Sequence, residues 1–438
     1  MKKESLFKQR QHALIETIKK QYPEQGLVVL WAGFERSSEP FTQESSFYYM
    51  TGINEPGVVF VMDMHKKTML FIPHYKQSRA QWMAHALEKD SKNLQTHGLD
   101  AIEYLGHPIT GYQCSPIIKQ QDYAFFIDFI KQHIASQHKI YTLNVNNQNA
   151  YIEQQLTLMQ VEALVPEITP NLVDISAFIA SMRRKKTPVE LNALRKAIEI
   201  TAIAHQAAAY AIEDGASEQA VIAGIDYIFA ESGFQKAFPS IVASGKNGTV
   251  LHYHGSAKKM RDGELVVVDI GAKIDGYCAD ISRTYPVSGA FTARQKKLYD
   301  IVLETHTLVA RLAKPGMWLS NKEKPEQSLY HLALKKLSSY GYGDYFTHGI
   351  GHFLGLDVHD VGNYADPLQE GDVITIEPGI YIPEESIGIR IEDDYLITAL
   401  GAQRLSGQLP QDVNSIEKMV SEKDQEDDED YEEDYEDN

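Results

Sequence analysis

Cysteines and long apolar runs are scarce in this 438-residue chain. It has only two cysteines, Cys114 and Cys278, too few for a disulfide framework. No run approaches the roughly eighteen apolar residues that indicate a membrane-spanning helix. The basic N-terminus, MKKESLFKQRQHALIETIKKQ, lacks the apolar stretch of a signal peptide and predicts a surface helix. These absences argue against a membrane-spanning protein and a disulfide-rich secreted domain, so we expect a cytoplasmic protein.

Positive charge is also in deficit, because the formal net charge is −18. Much of the excess lies in residues 421–438, which hold twelve acids and one lysine. Such a run repels itself and has nothing to bury, so it predicts a disordered tail. We interpret the tail as solubilising, and a partner-binding role is the alternative. The acidity of the whole chain argues against nucleic acid as a partner.

Length and residue pattern predict two domains. With 43% apolar and 10% aromatic residues the chain is globular, and it is too long for one ordinary core. Its first part contains β-rich segments such as GLVVLWAG at 26–33 and PGVVFVMD at 56–63. Two prolines and the basic run RRKK then indicate a boundary near residue 175, and TPVE at 187–190 predicts a capped helix start. We therefore divide the chain into 1–175, 176–420 and the tail.

A short block of the second part occurs twice. Residues 262–271, DGELVVVDIG, align without gaps to residues 370–379, EGDVITIEPG. In both copies an acid-Gly-acid turn opens an apolar run that ends in a carboxylate, Asp269 in the first copy and Glu377 in the second. A second apolar strand then carries another acid, Asp280 or Glu392. The pattern predicts a domain of two similar halves with four acids at matched positions.

Carboxylates inside such apolar strands need a compensating charge. An ionised acid in a buried strand is costly unless it is paired or binds a cation. A structural ion pair with Arg283 or Arg390 would explain one acid, but these two arginines could not neutralise four. Carboxylates together with imidazole favour Mn²⁺, Co²⁺ or Zn²⁺. Four carboxylates and a histidine suit two ions that share bridging carboxylates, whereas we interpret Cys278, between two of the acids, as a small apolar filler.

Three histidines lie close together in THGIGHFLGLDVHD, residues 347–360. His348 and His352 are four residues apart, which is the spacing of helical HExxH zinc sites. The glycines at 349, 351 and 355 argue against a helix, and glycine rather than glutamate follows His348. Spacing alone does not tell which of the three histidines, the third being His359, binds a metal.

Five motifs in order resemble one family of enzymes. They are LHYHG, VVVDIGAKIDGYCADISRTYPVSG, THGIGHFLGLDVHDVG, TIEPGIYI and GIRIEDDYLIT. They are similar to motifs of the pita-bread metallopeptidases, which include aminopeptidase P, prolidase and methionine aminopeptidase. The segment ESSFYYMTGINEPGVVFVMD (44–63) also resembles the N-terminal domain of aminopeptidase P. The resemblance implies an α+β protein: a C-terminal pita-bread (creatinase/aminopeptidase) fold with duplicated αβ halves, after a smaller α/β N-terminal domain.

Carried over position by position, the resemblance makes five residues the ligands of two divalent metal ions: Asp269, Asp280, His352, Glu377 and Glu392. Asp280 and Glu392 would bridge the ions, Asp269 would hold one, and His352 with Glu377 would hold the other. We expect Mn²⁺, with Co²⁺ or Zn²⁺ as alternatives. The family's histidine register assigns the metal to His352, because the second functional histidine, His359, follows seven residues later.

The same resemblance implies a chemical mechanism. A metal-bridging hydroxide would attack the peptide carbonyl, and Glu377 would carry its proton to the leaving proline nitrogen. His252 and His359 would contact the substrate and stabilise the tetrahedral oxyanion. Three further residues are assigned to the substrate pocket or its immediate support: His348, Arg390 and Tyr381.

Several members of the superfamily remain to be distinguished. Creatinase lacks the metal ligands, and simple methionine aminopeptidases lack the N-terminal domain. Prolidase must hold the free carboxylate of an Xaa-Pro dipeptide, yet the loop VGNYADPLQEG, 361–371, contains no Lys or Arg. This favours an Xaa-Pro aminopeptidase, with prolidase as the alternative and a catalytically silent binding module as a remote one. The resemblance also implies a homo-oligomer, a dimer or tetramer, acting on peptides with a penultimate proline.

Overall fold

The computed structural model describes residues 5–35, 40–76, 79–83, 87–144, 152–255 and 257–421. The acidic tail expected at 421–438 lies outside these residues except for Ser421. Two compact units divide the chain between Arg183 and Arg184. No helix in the described part of the chain is long and apolar enough to cross a membrane.

The first unit is built around a mixed six-stranded sheet of order β4-β3-β2-β1-β5-β6. The β1–β2 and β2–β3 pairs are antiparallel, and the other three pairs are parallel. Its strands are β1 (Gly26–Trp31), β2 (Val59–Asp63), β3 (Thr68–Ile72), β4 (Ala101–Tyr104), β5 (Lys139–Thr142) and β6 (Leu172–Asp174). Its helices are α1 (Leu6–Gln21), α2 (Ser45–Thr51), α3 (Ser91–His97), α4 (Ala124–Ala135), α5 (Ile152–Leu164) and α6 (Ser176–Arg184).

The predicted N-terminal helix is present as α1, but it is more than a surface element. Ser5 caps it by accepting a hydrogen bond from the Lys8 N–H. Leu14, Ile15 and Ile18 on one face are fully buried. The spacing of these apolar residues is that of an amphipathic helix, so α1 packs through one face and exposes the other.

Among the described residues, the second unit combines five α-helices with short antiparallel sheets. The helices are α7 (Pro188–Ala211), α8 (Glu218–Glu231), α9 (Ala293–Leu312), α10 (Leu329–Ser339) and α11 (Val413–Ser421). The strands before α9 are β7 (Gln235–Lys236), β8 (Ile241–Ser244), β9 (Leu265–Ile270), β10 (Ala272–Ile274), β11 (Tyr277–Cys278) and β12 (Ile281–Pro286). The strands after α10 are β13 (Val373–Ile376), β14 (Gly379–Ile382), β15 (Ile387–Arg390), β16 (Asp393–Thr398) and β17 (Gly401–Arg404).

The predicted capped helix start is confirmed at the N-terminus of α7. Thr187 accepts a hydrogen bond from the Glu190 N–H, and the Glu190 carboxylate accepts one from the Thr187 N–H. Proline occupies the first helical position, where its missing N–H costs nothing. One hydrophobic cluster of buried residues joins the inner faces of α7, α8, α9 and α10 to the strands. The two strand-rich blocks thus share one core.

The duplicated block forms two long hairpins of the same design. In the first, β9 pairs with β12 and β10 pairs with β11; in the second, β13 pairs with β16 and β14 pairs with β15. The pairing runs in one continuous register along each hairpin. The first hairpin turns at Asp275-Gly276, both with positive φ, whereas the second turns through four residues, 383–386. A two-residue turn with positive φ at both positions suits a tight hairpin.

The register corrects one sequence prediction. Asp269 and Glu377 do occupy matched positions at the ends of the first strands. Asp269, however, faces Ser282 across its hairpin, whereas Glu377 faces Glu392, one step beyond the Ile376–Asp393 pair. The position equivalent to Glu392 is therefore Ser282. Asp280 and Glu392 therefore do not occupy equivalent positions. The second hairpin has the longer turn, and the two acids lie at different distances from the turns of their hairpins.

Candidate metal centre

The predicted site residues line one cavity of about 590 Å³ in the second unit. Its lining includes all five predicted ligands together with four of the predicted substrate-side residues: Asp269, Asp280, His352, Glu377, Glu392, His252, His348, His359 and Arg390. Leu251 and Gly349 are the other described residues of the lining. Tyr381 is buried beside this cavity and contacts both His348 and Arg390. The structure therefore brings together every site residue that the sequence analysis named.

His352 is held in an extended segment that pairs with β13. The Thr375 N–H donates to the His352 carbonyl at 3.0 Å, and the Glu377 N–H donates to the Ile350 carbonyl at 2.9 Å. A Cβ added at Gly351 would lie 2.0 Å from the Thr375 carbonyl oxygen, so only glycine fits this close approach. The prediction that residues 347–360 are not helical is confirmed. Strand pairing, not helical spacing, places His352 next to Glu377.

The donor atoms lie close enough to share cations. One ligand atom each of Asp280, His352 and Glu392 lies within 4.8 Å of the other two. The His352 Nε2 is 3.3 Å from Asp280 Oδ2 and 3.8 Å from Glu377 Oε1. A set of carboxylate oxygens and one imidazole nitrogen suits Mn²⁺, Co²⁺ or Zn²⁺. This geometry suits a cation held by side chains of both hairpins and the histidine segment.

Burial and mutual repulsion perturb the acids. Burial, and then the charge of Asp269, raises the pKa of Asp280 well above its ordinary value. The pKa of Glu392 is raised well above its ordinary value by burial and by repulsion from Asp280, and burial also raises that of Glu377. The Oδ1 atom of Asp269 is buried without a hydrogen-bond partner. A buried lone oxygen among crowded carboxylates fits cation binding, since a divalent ion would satisfy both.

Arg390 is the single Lys or Arg among the described residues lining the cavity. Its Nη2 donates to Asp269 Oδ2 at 2.6 Å, and its Nη1 donates to the Tyr381 hydroxyl at 3.0 Å. Arg283, the other arginine near in sequence, lies outside the cavity and pairs with Asp393 at 2.8 Å. Of the four acids for which an ion pair was the alternative, Asp269 is thus paired with Arg390, while Arg283 is engaged by a different acid. The Arg390 Nε also lies 4.0 Å from Glu392 Oε2, whereas Asp280 and Glu377 pair with no lysine or arginine among the described residues.

The remaining histidines line the same cavity as the carboxylates. His348 is half-buried, and its Nε2 lies 2.9 Å from the Tyr381 hydroxyl while its Nδ1 lies 2.8 Å from the Gly349 carbonyl. Burial lowers the pKa of His348 to about 3 and that of His359 to about 4, so both rings are neutral at neutral pH. The His359 ring packs edge-on against His352 at 4.3 Å between centroids. His252 is exposed.

The residue that anchors the loop carrying His252 was not predicted from the sequence. Glu218, in the first turn of α8, is fully buried. Its carboxylate accepts hydrogen bonds from the Ser244 hydroxyl and backbone N–H, both at 2.8 Å, from the Asn247 amide and from the Tyr253 hydroxyl. These bonds fix both ends of the segment that presents His252. A glutamate in the first turn of a helix gave no signal beyond capping, so only the fold reveals this role.

The basic run RRKK also has a structural role in the second unit. Arg184 forms a two-pronged pair with Asp372, with both N···O distances 2.7 Å. Lys186 pairs with Asp360 at 3.0 Å, and both side chains are almost fully buried. Asp360 directly follows His359, so the pair fixes the end of the histidine segment.

The lone Cys278 is buried, and burial raises the pKa of its thiol to about 12, in line with the filler interpretation.

Comparisons with known proteins agree with this geometry. The model of metallopeptidase family M24 matches residues 192–399, and that of the aminopeptidase P N-terminal domain matches residues 7–107. An Xaa-Pro aminopeptidase of Escherichia coli K12 is 32% identical over 447 residues, spanning 94% of this chain and 97% of that relative. The chain belongs to the Xaa-Pro aminopeptidase family of M24 metallopeptidases. The resemblance inferred from the five motifs is thus confirmed, and the protein is a metallo-exopeptidase by family.

Two further relatives bear on fold and substrate. A solved structure of E. coli aminopeptidase P with the inhibitor Pro-Leu matches this chain with a TM-score of 0.78 and 29% identity, covering 95% of this chain and 97% of that one. The predicted fold class, a pita-bread domain after a smaller α/β domain, is confirmed. An Xaa-Pro dipeptidase of Pyrococcus furiosus is 38% identical, but the match spans only 61% of this chain and 76% of that relative. The family and the donor set together imply divalent metal ions.

Proposed function

We propose that this enzyme is a metal-dependent Xaa-Pro aminopeptidase, which releases an N-terminal residue that precedes proline. One observation carries the proposal: five donor side chains from both hairpins and the histidine segment converge in a single cavity. The near-full-length similarity to an E. coli Xaa-Pro aminopeptidase supports the substrate class. Pro-Leu, named as an inhibitor of the E. coli enzyme, is the dipeptide that cleavage of Xaa-Pro-Leu would leave.

We assign the metal ligands as the motifs predict. Asp280 and Glu392 would bridge two divalent ions, Asp269 would hold one, and His352 with Glu377 would hold the other. The four-carboxylate, one-imidazole set favours Mn²⁺, with Co²⁺ or Zn²⁺ as alternatives. Such ions, when bound, would polarise the peptide carbonyl and lower the pKa of an attacking water.

Glu377 is assigned the proton transfers. It would take the proton of the attacking water and deliver it to the leaving proline nitrogen. The burial that raises the Glu377 pKa moves it toward neutrality, where a carboxyl group can both accept and donate a proton. Its side chain is still partly open to the cavity, with 18% exposed, so it can reach both substrate and water.

The histidines are assigned to the substrate. His359 has a pKa near 4, so at neutral pH it is uncharged and keeps one ring N–H to donate to a developing oxyanion. His252, which also lines the cavity, is its proposed partner. His348 accepts from the Tyr381 hydroxyl if its Nδ1–H donates to the Gly349 carbonyl, and Arg390 donates to the same hydroxyl. We propose that this chain of contacts shapes the substrate pocket.

Charge in the cavity favours the aminopeptidase over prolidase. A prolidase needs a cation for the free carboxylate of its dipeptide. Among the described residues that line the cavity, Arg390 is the one such cation, and Asp269 already engages it at 2.6 Å. A longer peptide brings no charge to this point. The observation therefore supports Xaa-Pro-Yaa substrates.

Assembly and location complete the proposal. We propose a homo-oligomer, a dimer or tetramer, because Ile152, Leu156 and Met159 form an apolar stripe on one face of α5 and are 54%, 55% and 65% exposed.

We also propose a cytoplasmic enzyme, since both cysteines are free and buried rather than paired.

A peptide panel tests the function. Metal-stripped protein is reloaded with Mn²⁺ and incubated with Xaa-Pro-Yaa tripeptides, matched Xaa-Ala-Yaa tripeptides and Xaa-Pro dipeptides, and released amino acids are quantified. We expect cleavage of the proline tripeptides alone, and none by the stripped protein. Cleavage confined to the dipeptides would identify a prolidase. Folded, metal-binding protein that cleaves none of them would favour the binding-module alternative.

A further inference from the structure

A buried hydroxyl joins the two halves of the metal centre. Ser282 lies in β12, is fully buried, and faces Asp269 across the first hairpin. By hairpin register it is the first-half counterpart of Glu392. The next counterparts, Arg283 and Asp393, form a buried ion pair at 2.8 Å. Equivalent positions of the two halves thus meet at the centre of the unit, and Ser282 meets Glu392.

Three hydrogen bonds connect Ser282 to the second half. Its hydroxyl donates to Glu392 Oε2 at 2.7 Å and accepts from Arg390 Nε at 2.8 Å. Its backbone carbonyl accepts from the Glu392 N–H at 3.1 Å. A hydroxyl has one hydrogen to donate and lone pairs to accept, so a single atom serves a carboxylate and a guanidinium at once.

The two partners of Ser282 occupy different places in the proposed site. Glu392 is assigned as a bridging ligand, whereas Arg390 holds Asp269, the ligand of one ion. Ser282 is therefore one hydrogen bond away from Glu392 and two hydrogen bonds, through Arg390, from Asp269. A carboxylate buried with a hydrogen-bond donor has a fixed orientation, and a carboxylate without one can rotate away from its metal.

We propose that Ser282 is a positioning residue that orients Glu392 and, through Arg390, Asp269 for binding the two metal ions. The inference rests on the proposed function for the metal roles of these two acids. Ser282 itself does not line the cavity, so it acts through its neighbours and not on the substrate. Alanine at this position would leave the Glu392 oxygen without its donor and the Arg390 Nε without its acceptor.

Calorimetric titration of metal-free full-length protein with MnCl₂ tests the proposal without relying on turnover. We expect Ser282→Ala to weaken the binding of at least one Mn²⁺ ion by about 10–100-fold, the usual effect of removing a hydrogen-bond partner of a ligand. Thr305→Val is the matched control. Thr305 is equally buried, but its hydroxyl donates only to the Ile301 carbonyl within α9. The control should bind Mn²⁺ with wild-type affinity.

A second pair of variants decides the question if Ser282→Ala does not fold. Ser282→Thr and Ser282→Val have the same shape and differ only in the hydroxyl. Tighter Mn²⁺ binding by the threonine variant, by about tenfold or more, would support the proposal. Equal affinities within this pair, or wild-type affinity in folded Ser282→Ala, would overturn it. Failure of the proposed function is seen separately, as wild-type protein that binds no Mn²⁺ or cleaves no proline peptide.

Discussion

Arg390 donates to Asp269 at 2.6 Å, and this contact ties the second hairpin to the first across the cavity. The same guanidinium reaches Tyr381 and Ser282, and Arg390 is 4% exposed. A planar, permanently charged group with several fixed N–H donors can serve three acceptors in one geometry. The charge also offsets part of the repulsion among the four acids. Arg390 therefore both positions its three partners and stabilises the carboxylate cluster.

Replacing Arg390 by lysine keeps the charge but loses this geometry. An ammonium group cannot hold Asp269, Tyr381 and Ser282 together. We expect kcat/KM for an Xaa-Pro-Yaa tripeptide to fall by about 10–100-fold, corresponding to the loss of one or two charge-assisted hydrogen bonds. Steady-state kinetics at saturating Mn²⁺ measure the effect, and a thermal melt shows whether the variant folds. Wild-type kinetics in Arg390→Lys would show that charge alone suffices.

Glu377→Gln removes the proposed proton carrier while keeping the shape of the side chain. We expect kcat to fall by at least 10²–10⁴-fold, the usual contribution of general acid–base catalysis, with a cooperative melting transition retained. Steady-state progress curves for the cleavage of a proline tripeptide would measure the loss of kcat. A variant with near-normal turnover would show that another group moves the proton.

Metal binding should release protons, because the raised pKa values of Asp280 and Glu392 keep protons on these carboxyls to a higher pH than usual in the metal-free site. An acid whose folded pKa exceeds its unfolded value stabilises the protein below the ordinary value, 3.8 for Asp280 and 4.5 for Glu392. That stability is lost as pH rises toward the folded pKa. Mn²⁺ and protons compete for the same carboxylates, and fewer protons compete at higher pH. The gain in Tm from Mn²⁺ should therefore be larger near pH 8 than near pH 6.

Two measurements check this linkage. Calorimetric titrations in buffers of different ionisation enthalpy report the number of protons released per ion. Melting curves with and without Mn²⁺ report the pH dependence of the gain in Tm. The lowered pKa values of His348 and His359 act with the opposite sign, and a comparison at each pH reduces their contribution because both forms contain these rings. Absence of proton release and a pH-independent gain would contradict the prediction.

Much of this site could be predicted from sequence because its residues are unusual for the segments in which they occur. Carboxylates such as Asp269 within a run of valines are anomalous in any buried strand, and the glycines around His352 exclude a helix. The register could not be predicted. The two hairpins differ in turn length, Asp275-Gly276 against residues 383–386, and turn length shifts the second strand without changing its composition. Ser282 was missed for this reason.

Glu218→Gln should impair substrate handling without affecting the metal. The carboxylate accepts four hydrogen bonds from the segment that carries His252, and an amide can accept only part of them. We expect KM for a proline tripeptide to rise by about tenfold, with Mn²⁺ affinity unchanged. Glu264→Gln is the control, since Glu264 is more exposed and pairs with Lys258 beside the same segment. Loss of Mn²⁺ binding in Glu218→Gln would show a broader structural role.

Deleting residues 421–438 should leave kcat and KM for a proline tripeptide essentially unchanged. Among the described residues, those that line the cavity all lie between Leu251 and Glu392, within the matched metallopeptidase region. Parallel assays of full-length and truncated protein at equal Mn²⁺ occupancy make the comparison. A large loss of activity in the truncated enzyme would show that the tail takes part in the site or the assembly.

Anomalous diffraction from crystals of the Mn²⁺-loaded protein tests the central claim most directly. We expect two anomalous peaks about 3.5–4 Å apart, the usual spacing of two-metal sites. Asp280 and Glu392 should contact both peaks, Asp269 one, and His352 with Glu377 the other. A single peak, or two peaks held by other side chains, would contradict the two-ion centre.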